Sequence, residues 1–242
     1  MLFRCFRAEL YKCRRAPVWL AFLILPLFPA ALGTGNYLAN SEALHDGWYS
    51  LWTQHTLFAS MFFLPAQFGV FCAWQWRLEH TDHNWNRFMT TPLPVGILCL
   101  AKLLLAAGVS VLAQACIGAL FLVSGKLAQI PGPVPPELSE WLLMGALGGL
   151  PVCAVQLFLS LKLRTFAPPV AAGLIGGILG LLFTSQGLGY CFPYSLLCLG
   201  MRANHPFLAL KTGPFAGSCL LYTVVFAAFS IRFLKHRDIA AE

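Results

Sequence analysis

Hydrophobic residues are gathered along the chain into about six stretches, each long enough to cross a lipid bilayer, with the polar residues in the gaps between them. These stretches lie at about 17–37, 55–76, 95–124, 141–161, 167–185 and 214–234. Since a spanning helix needs roughly 20 apolar residues, the pattern predicts an all-α integral membrane protein with six transmembrane helices. Pro17, Pro26 and Pro29 fall within the first stretch and predict a kinked helix there.

Composition supports lipid as the solvent. Of the 242 residues, 58% are hydrophobic and only 10% are charged, whereas a soluble domain carries roughly a quarter charged residues. We therefore expect one transmembrane domain over residues 1–242.

Basic residues are distributed unevenly between the gaps. Lysine and arginine number 16 against 9 acidic residues, and most of the basic ones precede the first stretch or fall in every second gap after it. Lys/Arg-rich loops stay on the cytoplasmic side, so the pattern predicts a multi-pass protein with both termini in the cytoplasm. The basic residues follow a membrane surface, which argues for lipid and against nucleic acid as a partner.

Residues 1–15 form the first segment outside the spans. In LFRCFRAELYKCRR, apolar residues recur at spacings near three and four while basic residues take other faces. This pattern predicts an amphipathic helix lying at the membrane interface. A simple positively charged anchor is the alternative.

Residues 77–94, RLEHTDHNWNRFMTTPLP, are the only sizeable polar stretch on the predicted cytoplasmic side apart from the chain ends. The composition fits a short helix that presents aromatic and charged side chains to a soluble partner, and a solvated loop is the alternative. His80, Asp82 and His83 are a weak metal-ligand pattern without further ligands, so we assign no metal site.

Residues 186–213 precede the last span. The apolar run from Tyr190 to Leu199 is too short to cross and contains Pro193, so it predicts short re-entrant helices against the bundle on the outer side. An ordinary outer loop is the alternative. Of nine cysteines, Cys191 and Cys198 could lie together here, and the sequence leaves open whether they are bridged.

Glycines cluster in GLIGGILG at residues 173–180. Small residues four apart let helix backbones approach closely. The pattern predicts either packing within the bundle or a dimer interface with a second chain, and it consists of Gly173, Gly176, Gly177 and Gly180.

Acidic and basic groups are almost missing from the predicted spans. Lys102 is the exception, and from two turns inside the third span it can snorkel to the inner headgroups. A self-energised transporter needs ionisable groups along its path, and the chain also lacks a Walker A loop for ATP. Any energy for transport must therefore come from a separate subunit that docks on the polar cytoplasmic segment, for which we select Glu79, His80, Trp85, Arg87 and Phe88.

The chain resembles a type-2 ABC transporter permease. More narrowly, it is similar to the short permease subunits of lantibiotic or bacitracin self-immunity exporters of Gram-positive bacteria. The resemblance is carried by RAELYKCRRAP at residues 7–17 and by the stretch from Glu79 through Trp85, Arg87, Thr91 and Pro92 to Lys102.

The resemblance implies a permease in a bacterial plasma membrane that pairs with a second permease chain, identical or paralogous, on two ABC ATPase subunits. ATP and Mg²⁺ would bind the ATPases, and this chain would hold no cofactor and catalyse no reaction. The implied cargo is an amphipathic antimicrobial peptide, and the weak candidates for its path are Phe62, Phe63, Gln67, Trp74, Phe183 and Gln186. Two alternatives remain: a non-transporting immunity or scaffold protein, and a membrane enzyme.

Overall fold

The computed structural model describes residues 1–80, 93–163 and 165–236. All its regular elements in these ranges are helices, and six helical segments are long and apolar enough to cross a membrane. The predicted all-helical class with six spans is confirmed. The helices are α1 (Leu2–Cys13), α2 (Val18–Ile24), α3 (Leu27–Ala39), α4 (Trp48–Phe58), a π-helical turn (Ala59–Phe63), α5 (Leu64–His80), α6 (Val95–Leu127), α7 (Leu138–Leu163), α8 (Ala167–Ser185), α9 (Pro193–Gly200) and α10 (Thr212–His236).

The first span is broken where its prolines fall. It consists of α2 and α3, and Pro26 caps the start of α3 just after α2 ends. Proline has no backbone N–H to continue the helical ladder, and its ring clashes with the preceding turn. The predicted kink is therefore confirmed.

The second span is longer than the sequence pattern predicted. It runs without interruption through α4, the π-helical turn and α5, from Trp48 to His80, rather than starting near His55. Polar side chains at the start of this span hid its first turns from the hydrophobic pattern. One of them, His55, is buried, and its Nε2 lies 2.9 Å from the Thr34 hydroxyl of α3. A polar residue that finds a partner on the neighbouring helix does not end a span.

Helix α7 is the centre of the bundle and packs against α5, α6, α9 and α10. Its buried face carries Gly145, Gly148 and Gly149. A Cβ on Gly145 would come within 2.9 Å of the Gln114 side chain of α6, and one on Gly148 would collide with the backbone of α9. Glycine on α7 thus sets how closely its neighbours approach.

The glycine cluster of α8 packs within this chain. A Cβ on Gly173 would lie 2.6 Å from the Pro65 carbonyl oxygen of α5, and one on Gly177 would collide with the backbone of the π-helical turn. Gly176 and Gly180 face Tyr194 of α9 in the same way. These glycines are occupied by intrachain contacts, so a second chain would have to meet a different surface.

Residues 186–213 contain one short helix, α9, whose eight residues are all buried. It packs against α7, α8 and α10, as a re-entrant helix shielded by protein must. Arg202 follows it in a left-handed conformation and bonds the Leu199 carbonyl at 3.1 Å and Glu140 of α7 at 2.7 Å. Cys191 is exposed, Cys198 is buried in α9, and both are free thiols, so no disulfide forms.

Candidate functional site

Helix α1 docks on α6 through a face that contains an acid. The residues that it buries are Cys5, Glu9 and Cys13. Phe3 and Leu10, which the sequence pattern placed on the apolar face, are 70% and 49% exposed. The predicted amphipathic helix is present, and the face that it packs on α6 includes Glu9.

Glu9 meets three other charged side chains where α1, α5 and α6 come together. The Lys102 ammonium of α6 lies 2.8 Å from Glu9 Oε2 and 2.9 Å from Glu79 Oε1 of α5, and it also donates to the Gln75 carbonyl at 3.0 Å. The Lys12 ammonium lies 2.6 Å from Glu9 Oε1 and 2.6 Å from Glu79 Oε1. We call Glu9, Lys12, Glu79 and Lys102 the charge cluster.

Three members of the charge cluster are buried, and the cluster is electrically balanced. Lys102 is 0% exposed, and Glu9 and Glu79 are each 4% exposed. Two carboxylates face two ammonium groups, so no net charge is left in the interior. Isolated ions would be far too costly to bury there. Lys102 also lies 5.0 Å from the centre of the Trp76 ring, a favourable cation–π distance.

The position of Lys102 corrects the expectation that it snorkels to the headgroups. Its side chain is enclosed, because Glu9 and Glu79, which lie 93 and 23 residues away in sequence, supply carboxylates inside the protein. The correction identifies Glu9 and Lys12 as site residues that the sequence analysis did not select. Both lie in RAELYKCRRAP, one of the stretches that carry the family resemblance, and their spacing of three on one helix was a further local signal.

Lys12 closes the charge cluster on its solvent side, where its side chain is 34% exposed. Burial acts to lower the pKa of Lys12, but the carboxylates of Glu9 and Glu79 outweigh it and raise the pKa above its ordinary value. Lys12 therefore stays protonated throughout the physiological range, and the charge cluster keeps its balance.

The residues selected for ATPase contact divide into two groups. Glu79 is inside the charge cluster and His80 is half-buried at the end of α5. Trp85, Arg87 and Phe88 lie outside the described residues, as do Asp82 and His83 of the weak metal pattern. Because Glu79 is enclosed by this chain, we interpret it as a residue that holds the end of α5. Its direct contact with an ATPase stays a prediction.

The six residues selected for a cargo path lie on the second span and at the end of α8, which packs against that span. Phe63 stacks on Phe28 with ring centres 5.6 Å apart, and Phe183 stacks on Phe192 at 5.0 Å. Trp74 and Phe62 are half-buried, Gln186 is exposed, and Gln67 is wholly buried in the core. The two stacked phenylalanines thus contact neighbours outside the selected set, and the path stays a prediction.

The described residues bring buried charges of both signs together where α1, α5 and α6 meet. Their buried acids and bases are Glu9, His55, Glu79, Lys102 and Arg202, and among them no group of three or more His, Cys, Asp and Glu could hold a metal ion. The charge cluster ties α1 to the end of one span and the start of another. If these elements move relative to one another, the contacts of the charge cluster would either all break or all hold.

Comparison with known families gives one match. Residues 5–180 match the family described as ABC-2 family transporter protein. The matched range begins within α1, includes the charge cluster and the first four spans, and ends within the fifth span. Neither a curated protein nor a solved structure matches the chain.

Proposed function

Because the chain belongs to the ABC-2 transporter family and is therefore the membrane subunit of an ABC transporter, we propose that it is the permease of an exporter that expels a lantibiotic- or bacteriocin-like peptide from the membrane. The export would provide resistance or self-immunity. In this proposal the termini are cytoplasmic, and a second permease chain completes the pathway.

The observation that carries this proposal is the place of the charge cluster. It holds the last turn of α5, and residues 81–92, which follow directly, carry the predicted docking surface for an ATPase. Movement of that surface on ATP binding would act on Glu79 at the end of α5. From Glu79 it would pass through Lys102 to α6 and through Lys12 to α1, because both lysines bond the same carboxylate oxygen.

The kind of cargo is supported by what the spans present. Large apolar side chains are exposed along several spans, including Leu174, Ile175 and Leu182 of α8 and Leu220 and Leu221 of α10. An amphipathic peptide that partitions into lipid could meet such surfaces from the bilayer. A small charged solute would need polar partners along its way.

The test of transport uses the chain reconstituted in liposomes with its ATPase and a fluorescently labelled lantibiotic. We expect ATP to drive the peptide away from the leaflet that faces the cell exterior, and an ATPase whose catalytic carboxylate is neutralised to abolish this movement. Protection that survives this ATPase variant would support the immunity or scaffold alternative. Turnover of a lipid or peptide by the chain alone would support the enzyme alternative.

The test of coupling reverses one charge in the cluster. Glu79→Lys would place three ammonium groups together at the end of α5, so we expect it to weaken co-purification with the ATPase and to lower peptide-stimulated ATP hydrolysis. Glu42→Lys makes the same charge change at an exposed position and serves as the control. Equal co-purification of both variants would contradict the proposed transmission.

A further inference from the structure

A cavity of about 390 Å³ lies between the exposed side of α1 and the start of α2. It is lined by Arg7, Leu10, Tyr11, Cys13, Arg14 and Trp19. The Trp19 indole N–H donates to the Cys13 carbonyl at 2.6 Å. This bond fixes the wall of the cavity and the angle between the two helices.

The polar chemistry of the cavity is that of an anion site. Arg7 and Arg14 are separated by two helical turns, or about 10.5 Å along the axis, and both line the cavity beside Tyr11. The Arg7 guanidinium lies 5.9 Å from the centre of the Phe3 ring. Among the described residues that line the cavity, none is acidic. The nearby acid, Glu9, faces the other way and is engaged by Lys12 and Lys102.

The apolar chemistry continues along the first span. Leu23 is four residues from Trp19 and therefore lies on the same side of α2. Leu23 and the neighbouring Leu20 are both largely exposed. A hydrocarbon chain that starts at the cavity would thus find an apolar surface leading into the bilayer.

We propose that this cavity binds the headgroup of an anionic glycerophospholipid, with its phosphate between Arg7 and Arg14 and its acyl chains along Leu20 and Leu23. Arginine suits this role because its planar group can donate two hydrogen bonds to one phosphate. The volume falls within the range of small-molecule sites and accommodates a headgroup, while the acyl chains lie outside it. The free phosphate ion would use the arginines but not the apolar surface.

Such a lipid would act on α1, the same helix that the charge cluster holds. Helix α1 would be held on one side by the charge cluster and on the other by the membrane. Lipid binding would therefore favour the docked position of α1. The proposed lipid site depends on the geometry of the cavity and does not depend on which cargo the permease exports.

The experiment measures lipid retention by the full chain in nanodiscs and by native mass spectrometry, with phosphatidylglycerol compared with phosphatidylcholine. The cavity variant Arg7→Gln/Arg14→Gln is compared with Arg4→Gln/Arg15→Gln, which removes the same charge from exposed positions that do not line the cavity. Both pairs lose the long-range attraction to anionic lipid, and 0.5 M salt screens that attraction in both.

We expect wild type and the Arg4/Arg15 variant to prefer phosphatidylglycerol, and the Arg7/Arg14 variant to bind it about tenfold more weakly or worse, since contacts to a charged group are lost. Equal loss in both variants, or no lipid preference in wild type, would overturn the proposal. The wild-type comparison holds even if a variant fails to insert. Displacement of the lipid by millimolar inorganic phosphate would show a phosphate site and refute the assignment to lipid.

Discussion

Lys102→Met is the sharpest perturbation of the charge cluster. Methionine has a similar length and fills the same space, so the change removes the charge with little change in packing. Lys102 contacts both carboxylates at 2.8 and 2.9 Å. After the substitution Glu9 and Glu79 would share only Lys12, and the interior would hold an excess negative charge.

The size of the effect follows from burial. Removing one partner of a buried ion pair costs about 3–5 kcal/mol, because the other charge is left uncompensated. Lys102 is 0% exposed, so solvent does not soften this cost. The charge would be relieved most directly by the undocking of α1, which returns Glu9 to water. Since about 1.4 kcal/mol corresponds to a tenfold change, we expect the undocked fraction to rise between about 100-fold and a few thousand-fold.

The assay follows Cys13, which is buried against the bundle when α1 is docked. In a variant that retains only this cysteine, the rate of maleimide labelling in nanodiscs reports the undocked fraction. Lys102→Met should raise the rate, and Lys102→Met/Glu9→Gln should bring it back towards wild type by restoring neutrality. Lys126→Met, at an exposed position near the other end of α6, is the control and should leave the rate unchanged.

Two results would refute this reasoning. Labelling of Lys102→Met at the wild-type rate would show that the charge cluster does not hold α1. A double variant that labels as fast as Lys102→Met, or that fails to insert along with it, would show that Lys102 acts through packing rather than charge balance.

Burial raises the pKa of the Cys13 thiol to about 11, so at pH 8 its thiolate fraction should be about a hundredfold below that of an ordinary thiol, and it should label far more slowly than the exposed Cys191. Because the folded pKa is the higher one, a pH above about 9 should favour undocking of α1, which labelling with an uncharged reagent would detect as a steep rise. Gly177→Ala should lower the free energy of unfolding by about 1–3 kcal/mol, because its methyl group collides with the π-helical turn, whereas Gly213→Ala has open space and should be neutral in a thermal melt. A cysteine at Ser139, exposed at the start of α7, should react with an impermeant reagent only from outside the cell; labelling from the cytoplasm would overturn the predicted orientation.

The spans were predictable because lipid imposes a simple length and polarity rule on each helix separately. The rule failed at the start of the second span, because polar residues there hid the first turns of the helix from the hydrophobic pattern. Gln54 and His55 are tolerated there because Asn36 and Thr34 of α3 bond them at 2.6 and 2.9 Å. A pattern read one helix at a time does not contain such a partner.

The charge cluster could be predicted only in part for the same reason. Lys102 was conspicuous as a lone base in an apolar span, and Glu79 as an acid beside a polar segment. Their pairing, and the entry of Glu9 between them, depend on how α1 rotates about its axis on α6. The spacing of apolar residues in α1 does not show that Glu9 shares the face on which the helix packs.

The contact between Glu9 and Lys102 also sets an order of events during synthesis. The two residues are 93 positions apart, and a ribosome adding about 5–20 residues per second would need roughly 5–20 s to make the chain between them. During that interval Glu9 has Lys12 of its own helix as a partner but lacks Lys102, so α1 is without the contact that holds it on the third span while two spans are inserted. Docking of α1 can therefore be completed only after the third span has been made.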